Sequence, residues 1–183
     1  MKNGTNAAYI LRLAGTLLVI TALVALALAG VNQITKPLID AAKAAKTQAA
    51  VNEVHLPGEA VEVDFTDDTG LVTRAYASTE GYAIQVTPSG FGGEIDMMVG
   101  VSKDGKVLGV SIISHAETPS LGAVAAEKGS KGVTFRGQYA GMSGQLAVDK
   151  DGGEVDSITS ATITTRAVTQ GVNAALACAA NMG

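Results

Sequence analysis

One cysteine, Cys178, is all that 183 residues provide, which excludes an internal disulfide, a c-type haem attachment, and any cysteine-built zinc or iron–sulfur site within this chain. Electrons handled here must ride on an organic carrier or belong to a neighbouring protein. Histidine is nearly as scarce: His55 falls in a linker-like region and His115 in a polar loop, so no metal site is expected. Positive charge is short as well. Residues 1–36 hold Lys2, Arg12 and Lys36 and no acid, so the remainder carries 10 of the 13 basic residues and all 17 acidic ones, a net −7. Such a surface repels phosphate backbones, and no basic patch interleaved with aromatics relieves it, so nucleic acid is not an expected partner. No long internal repeat is evident. Nor is there a nucleophile–base pair of the kind a self-contained enzyme needs.

What the chain does have is an uneven distribution of apolar residues. Leu13 to Val31 is apolar apart from Thr16 and Thr21, long enough to cross a hydrocarbon core of about 30 Å at ~1.5 Å per residue. Arg12 stands at its edge, where its stem can lie along lipid while the head reaches the interface. Ala27-Leu28-Ala29 resembles a signal-peptide cleavage site, but the expectation is a retained transmembrane helix over 13–31 behind a short N-terminal segment 1–12. Lys2 and Arg12 flank one side and Lys36, Lys43 and Lys46 the other, so charge does not set the orientation. Residues 32–58 read as a juxtamembrane helix or linker: Pro37 suits a first helical turn, Leu38 to Val54 is Ala-rich, and Pro57-Gly58 ends it.

From residue 59 the pattern becomes short β-branched or alternating runs: Ala60–Phe65, Leu71–Ala77, Gly81–Thr87, Gly93–Ser102, Val107–Ser114, Gln145–Val148 and a last one ending near Ile158. Asp104-Gly105 marks a hairpin. A helix follows, with Val168, Val172, Ala175, Leu176 and Ala179 on one face and Cys178 expected as a buried, inert thiol. The expected class is α+β, a mainly antiparallel sheet with a C-terminal helix, preceded by one N-terminal transmembrane helix, with residues 59–183 as the domain.

Three stretches stand out from this scaffold. Ser89-Gly90-Phe91-Gly92-Gly93 has three glycines in five residues; it reads as a turn or a weak phosphate-loop signal, since a strand and not a helix follows, and Phe91 reads as core. His115-Ala116-Glu117-Thr118-Pro119-Ser120-Leu121-Gly122 leaves a strand as a polar loop with one apolar residue, a mixture that suits a heteroaromatic ligand with a hydrogen-bonding edge. It also reads as a cap, with Thr118-Pro119 starting a helix through Ala126. Asp156-Ser157-Ile158-Thr159-Ser160-Ala161-Thr162-Ile163-Thr164-Thr165 joins a strand end to a helix start. Small side chains there allow a phosphate to approach the free amides and positive dipole end, although Ser and Thr are also ordinary caps. Phe135-Arg136-Gly137-Gln138-Tyr139-Ala140-Gly141 offers two aromatics four apart, expected in the core.

Asp156, Thr159, Ala161 and Thr162 resemble the Asp-x-x-Ser/Thr-Gly-Ala-Thr acceptor motif of flavin-carrying subunits in Rnf-type and Na⁺-pumping NADH:quinone oxidoreductase complexes. Ser160 stands where that family has Gly. His115–Gly122 resembles its His-x-Glu-Thr-Pro-Gly-Leu-Gly motif, with Ser120 in place of Gly, and residues 135–141 resemble its Phe-x-x-Gln-Phe-x-Gly segment. The resemblance runs from about residue 90 to 175. It implies FMN joined through its phosphate to the Thr162 hydroxyl by a separate flavin transferase, with Glu117, Thr118 and Leu121 against the ring, His115 adjacent, and Phe91, Gly122 and Thr165 nearby. Asp156 is either read by the transferase or a cap of the turn. It further implies an electron-relay subunit that is not an enzyme on its own, partnered by other membrane subunits of the complex. The domain is then expected on the extracytoplasmic side of a bacterial or archaeal plasma membrane. The G-type subunit of an Rnf complex, coupling ferredoxin and NAD⁺ to ion pumping, is the first reading. The C-type subunit of the Na⁺-pumping complex is the nearest alternative, and a flavin-free extracytoplasmic structural module the alternative from another class.

Overall fold

The computed structural model describes residues 3–182, with side chains from Ala8 onward, and the chain divides into two compact units between Ala45 and Lys46. Helix α1 runs without interruption from Asn3 to Glu53 through both. The expected new start at Pro37 is therefore corrected: Pro37 lies inside the helix, where its missing N–H leaves one carbonyl of the preceding turn without a donor. The first unit is helical and its apolar side chains, from Leu11 and Leu17 to Leu28 and Ile34, are exposed. Its threonine hydroxyls are satisfied internally, Thr16 donating to the Arg12 carbonyl at 2.9 Å and Thr21 to that of Leu17 at 3.0 Å, as a helix surrounded by hydrocarbon requires.

The second unit is built on a five-stranded antiparallel meander, β1 (Val61–Val63), β2 (Val72–Ala77), β3 (Gly81–Val86), β4 (Asp96–Ser102) and β5 (Val107–Ser114), in that spatial order. At the β4–β5 hairpin only Gly105, at φ 71°, takes a positive dihedral, and its N–H returns to the Ser102 carbonyl at 2.9 Å. One face of the sheet packs Ile84, Val86, Met97, Val99 and Val101 against α3 (Thr162–Met182), whose Val168, Val172, Ala175, Leu176 and Ala179 are buried as expected, along with Cys178. Gly171 brings α3 close: a Cβ there would meet Met97 Sδ and Pro88 Cγ at 3.0 Å. Burial raises the Cys178 thiol pKa, in keeping with an inert thiol.

The other face receives the last turn of α1. Val54 sits over Gly100 and Gly109, which are paired across β4 and β5; a Cβ on Gly100 would come within 2.5 Å of the Val54 carbonyl oxygen. Ala50, Val51 and Val54 are buried there with Ala83 and Met98, which is why the compact unit begins at Lys46 and takes in about half of the expected linker. The helix ends beyond Glu53 through His55, at φ 58°.

Three expectations about elements are corrected. Gln145–Val148 and the run ending near Ile158 are not strands but meet in one isolated parallel bridge, Val148 with Val155. The reason is local: the 3₁₀ turn Asp149–Asp151 and Gly152, at φ 82°, double the chain back at once. Leu146 meanwhile has its backbone satisfied by a side chain, donating to Asn173 Oδ1 at 2.9 Å and accepting from Nδ2 at 2.8 Å. The helix expected from Thr118 is a 3₁₀ turn over Gly122–Ala126, and a further helix, α2 (Ser130–Gly137), stands between it and α3. Just at and beyond the end of α2, Phe135 and Tyr139 are core residues in edge contact, centroids 5.8 Å apart. Tyr139 shares a 2.9 Å hydrogen bond with Thr169, and burial pushes its phenol up to about 12.

Candidate functional site

Four loops meet at the N-terminal end of α3: the glycine turn between β3 and β4, the loop after β5, the 3₁₀ turn, and the approach to α3. Between them lies a cleft of about 350 Å³, lined by Phe91, Glu117, Thr118, Leu121, Gly122 and Ser160 to Thr164. That is the low end of the ligand-cleft range of about 300–1,000 Å³. Its rim is apolar and open, with Phe91 69 %, Ile163 51 % and Leu121 40 % exposed. Phe91 is therefore not a core residue. A ring laid into the cleft has faces to meet there.

Glu117 ties the loops together. It is buried; Oε1 accepts from the Gly92 N–H at 2.9 Å and Oε2 from the Thr164 hydroxyl at 2.5 Å. A carboxylate accepts such donors in charge-assisted bonds about twice as strong as neutral ones. The surrounding glycines make room for it: a Cβ on Gly90 would collide with Oε1, and one on Gly122 with both Oε2 and the Thr164 hydroxyl. A Cβ on Gly92 would strike the Ala116 carbonyl. The glycine turn thus admits a buried side chain of the protein, a role that the pattern Gly-Phe-Gly-Gly does not reveal.

The approach to α3 is held from three sides. The Gln138 amide clamps the backbone of Asp156, accepting from its N–H at 2.8 Å and donating to its carbonyl at 3.3 Å. Asp149 accepts from both the hydroxyl and the N–H of Ser157, and that hydrogen bonding, with Lys150 beside it, lowers its carboxyl to about 2. Thr165 is buried, donating to the Ala161 carbonyl and accepting from the Ile158 N–H, both at 3.1 Å. The first helical bond is donated by Thr165 to Ala161, so the amides of Thr162, Ile163 and Thr164 precede the ladder at the positive end of a 21-residue helix. Ser160 enters this turn at φ 63° and Ser120 bends the facing loop at φ 62°. Both positions where the sequence has Ser for Gly are left-handed, the conformation that glycine adopts without cost.

Among the threonines opening α3, the hydroxyls of Thr164, Thr165 and Thr169 are committed to Glu117, Ala161 and the Thr165 carbonyl. Thr162 is half-buried on the cleft wall. Its hydroxyl makes no hydrogen bond with the described residues.

The structure thus gathers Phe91, Glu117, Thr118, Leu121, Gly122, Ser160, Ala161 and Thr162 at one cleft. It places the others elsewhere. Asp156 and Thr159 line a second cleft of about 700 Å³, which shares Leu121 and Ser160 as its wall. His115 is exposed, its Nδ1 accepting from the Glu117 N–H at 3.2 Å, and Thr165 is spoken for inside the turn. Ile163 and Thr164 on the cleft, and Gln138 and Asp149 behind it, escape sequence reasoning; the only signal is that each lies in or beside a segment already singled out.

Comparison with known proteins agrees with the geometry. Residues 90–177 match the FMN-binding domain. The G-type subunit of the ion-translocating oxidoreductase complex of Erwinia tasmaniensis is 34 % identical over 176 residues, 86 % of this chain and 83 % of that protein. The chain belongs to this G-type family. The corresponding G-type protein of Haemophilus influenzae is 35 % identical over 156 residues, covering 76 % of this chain and 75 % of its own length. The G-type subunit of the proton-translocating ferredoxin:NAD(+) oxidoreductase complex of Clostridium ljungdahlii is 40 % identical over 110 residues, 55 % of this chain; the match spans just over half of that relative, 57 %. The FMN-binding stretch begins at the glycine turn and ends within α3, so it contains all four loops of the cleft. Leu121, Phe91 and Ile163 offer apolar faces, and Ala161 and Thr162 stand before free helical amides, a set that fits a flavin mononucleotide.

Proposed function

We propose that this chain is a membrane-anchored electron-relay subunit of an Rnf-type ion-translocating oxidoreductase complex, carrying FMN covalently through the phosphate on Thr162. The observation that carries the attachment is the uncommitted Thr162 hydroxyl at the first turn of α3, on the wall of a cleft with an apolar rim. In forming the ester, that hydroxyl gives up its proton and bonds to phosphorus as an activated flavin nucleotide loses its leaving group. Among the described residues no titratable side chain hydrogen-bonds the Thr162 hydroxyl, and the nearby Glu117 has both oxygens engaged, which supports a separate, metal-dependent flavin transferase as the catalyst.

Bound FMN supplies one- and two-electron chemistry. The chain's own part is placement. Leu121 and Phe91 would bound the ring, Glu117 fixes three of the four loops, and the amides opening α3 would hold the phosphate. Helix α1 has an 18-residue apolar window of mean hydropathy 2.4 whose residues are all unburied, which supports anchoring by a single span; the domain is placed outside the cytoplasm, among other subunits of the complex, by the family resemblance. The relatives named above, all of the G type, support the Rnf-type reading over the Na⁺-pumping quinone-reducing one.

The test is Thr162→Val in cells that express the transferase. The variant is expected to fold and to lose both the FMN mass on the Thr162 peptide and in-gel flavin fluorescence. Retained covalent flavin would refute the attachment.

A further inference from the structure

Arg136 is unlike the other arginines of the second unit. Its side chain is 9 % exposed, whereas Arg74 and Arg166 lie at the surface, 54 % and 49 % exposed. A guanidinium withdrawn from water is costly, and an apolar side chain of similar volume is commonly the more stabilising choice, so what an arginine adds is the fixed geometry of its donors.

Those donors grip one end of the cleft wall. Arg136 Nη1 donates to the carbonyl of Ala125 at 2.6 Å and to that of Glu127 at 3.1 Å. These carbonyls close the 3₁₀ turn Gly122–Ala126, where a short helix leaves its last acceptors unfilled. Gly132, one turn earlier in α2, packs so near that a Cβ would collide with the Glu127 carbonyl and approach that of Val124 to 2.6 Å. The opposite end of the same turn is Leu121–Gly122, the cleft wall itself. On its far side the guanidinium faces the last turn of α1: Nη2 lies 4.0 Å from Glu53 Oε1, and Glu53 Oε2 accepts from the Ser111 hydroxyl at 2.6 Å.

We propose that Arg136 is a positioning residue for the flavin cleft: it holds Leu121 and Gly122 in place by gripping the far end of their turn, and Glu53 sets how firmly that grip is kept. The proposal rests on the cleft being the flavin site. It gives the last turn of α1 a direct line to the wall against the ring, through one side chain and five residues of backbone.

The experiment uses the full-length, membrane-extracted chain with Arg136→Gln, Arg136→Lys and Glu53→Gln. Hydrogen exchange reads the amides of Val124 and Glu127, which bond within the turn to the carbonyls of Leu121 and Val124; visible circular dichroism and the midpoint potential read the attached flavin. Arg136→Gln is expected to speed exchange at those amides by about tenfold while β3 and β4 stay protected, and to weaken the flavin's dichroic bands and move its potential. Arg136→Lys, with a single-point donor in place of the fork, is expected to recover part of both, and Glu53→Gln to show the smaller effect of the same kind. Unchanged exchange in Arg136→Gln overturns the proposal, and so does faster exchange with an unaltered flavin spectrum and potential, which would leave a purely structural arginine. Should Arg136→Gln fail to fold, the lysine and Glu53 variants decide by the same readouts. The mass of the Thr162 peptide reports separately on attachment; if that peptide is unmodified, free FMN titrated into the same variants supplies the spectral comparison.

Discussion

Glu117 offers the sharpest test of how this site is built, because its two candidate roles differ in what they do to the protein without flavin. A residue kept only to touch the ring contributes nothing to the stability of the apoprotein. The structure gives Glu117 two charge-assisted hydrogen bonds in a buried setting, from Gly92 N–H and Thr164 Oγ1. Each is worth about 1.5–3 kcal/mol, and truncation also leaves the buried Thr164 hydroxyl without its acceptor. Glu117→Ala should therefore destabilise the apoprotein by about 3–6 kcal/mol, a fall in melting temperature of roughly 10 °C or more at this size. Glu117→Gln keeps an acceptor for the Gly92 N–H and offers an amide donor that the Thr164 hydroxyl can accept, so it loses the charge assistance of both bonds but not the bonds, and a smaller loss is expected. Gly122→Ala attacks the same carboxylate from the other side, through collision with Oε2. Combined with Glu117→Ala it should cost less than the sum of the two, since one of the two obstacles is gone and only the Thr164 hydroxyl remains. The assay is thermal unfolding of the detergent-solubilised chain from cells lacking the flavin transferase. A Glu117→Ala apoprotein that melts with the parent, or strictly additive costs in the double variant, would refute the brace and return Glu117 to the role of ring contact.

Ser120 and Ser160 hold left-handed dihedrals at φ 62° and 63°, which cost a non-glycine residue about 1–2 kcal/mol. Replacing either by Gly should stabilise the chain by roughly 0.5–1 kcal/mol after the greater freedom of glycine in the unfolded state is subtracted, measurable as a higher melting temperature. Asp149 carries the pH dependence of the acceptor loop. Its carboxyl is lowered from 3.8 to about 2, so its contribution is fully present above about pH 4 and is lost as pH falls toward 2, where the unfolded chain binds the extra proton first. Amide exchange at Ser157, corrected for its intrinsic pH dependence, should rise through that window in the parent chain and stay flat in Asp149→Asn.

Much of this was legible in the residues. Alternation and turn chemistry located β1 to β5, and the spacing of Val168, Val172, Ala175 and Ala179 fixed the buried face of α3, because both periods follow from backbone geometry alone. What escaped was decided by partners remote in sequence. Gln145–Val148 has a strand's composition, yet Asn173, more than twenty residues on, occupies the Leu146 backbone groups that a neighbouring strand needs. Pro37 reads as a helix start until the flanking turns prove able to continue past one missing N–H. Phe91 reads as core from its type, and only the fold shows it standing in the open. The cleft residues were found as three separate motifs, but nothing in their spacing says that Glu117 faces inward to hold Gly92 and Thr164.

That inward orientation fits the tethered flavin site proposed above. A ligand held only by affinity needs polar side chains aimed at it, and here both oxygens of the cleft's one carboxylate are already committed to the protein. A ligand tethered by an ester stays at high effective concentration whatever its affinity, so the lining can be small, apolar and open to partners. Precision must then come from behind the lining, since electron-transfer geometry still depends on where the ring rests. Glu117, Gln138, Asp149 and Thr165 provide it by fixing backbone instead of touching ligand, and they do so before any flavin arrives. Under the attachment proposed above, an acceptor loop held in this way would also present Thr162 in one conformation to the loading enzyme, so the same bracing would serve relay and maturation.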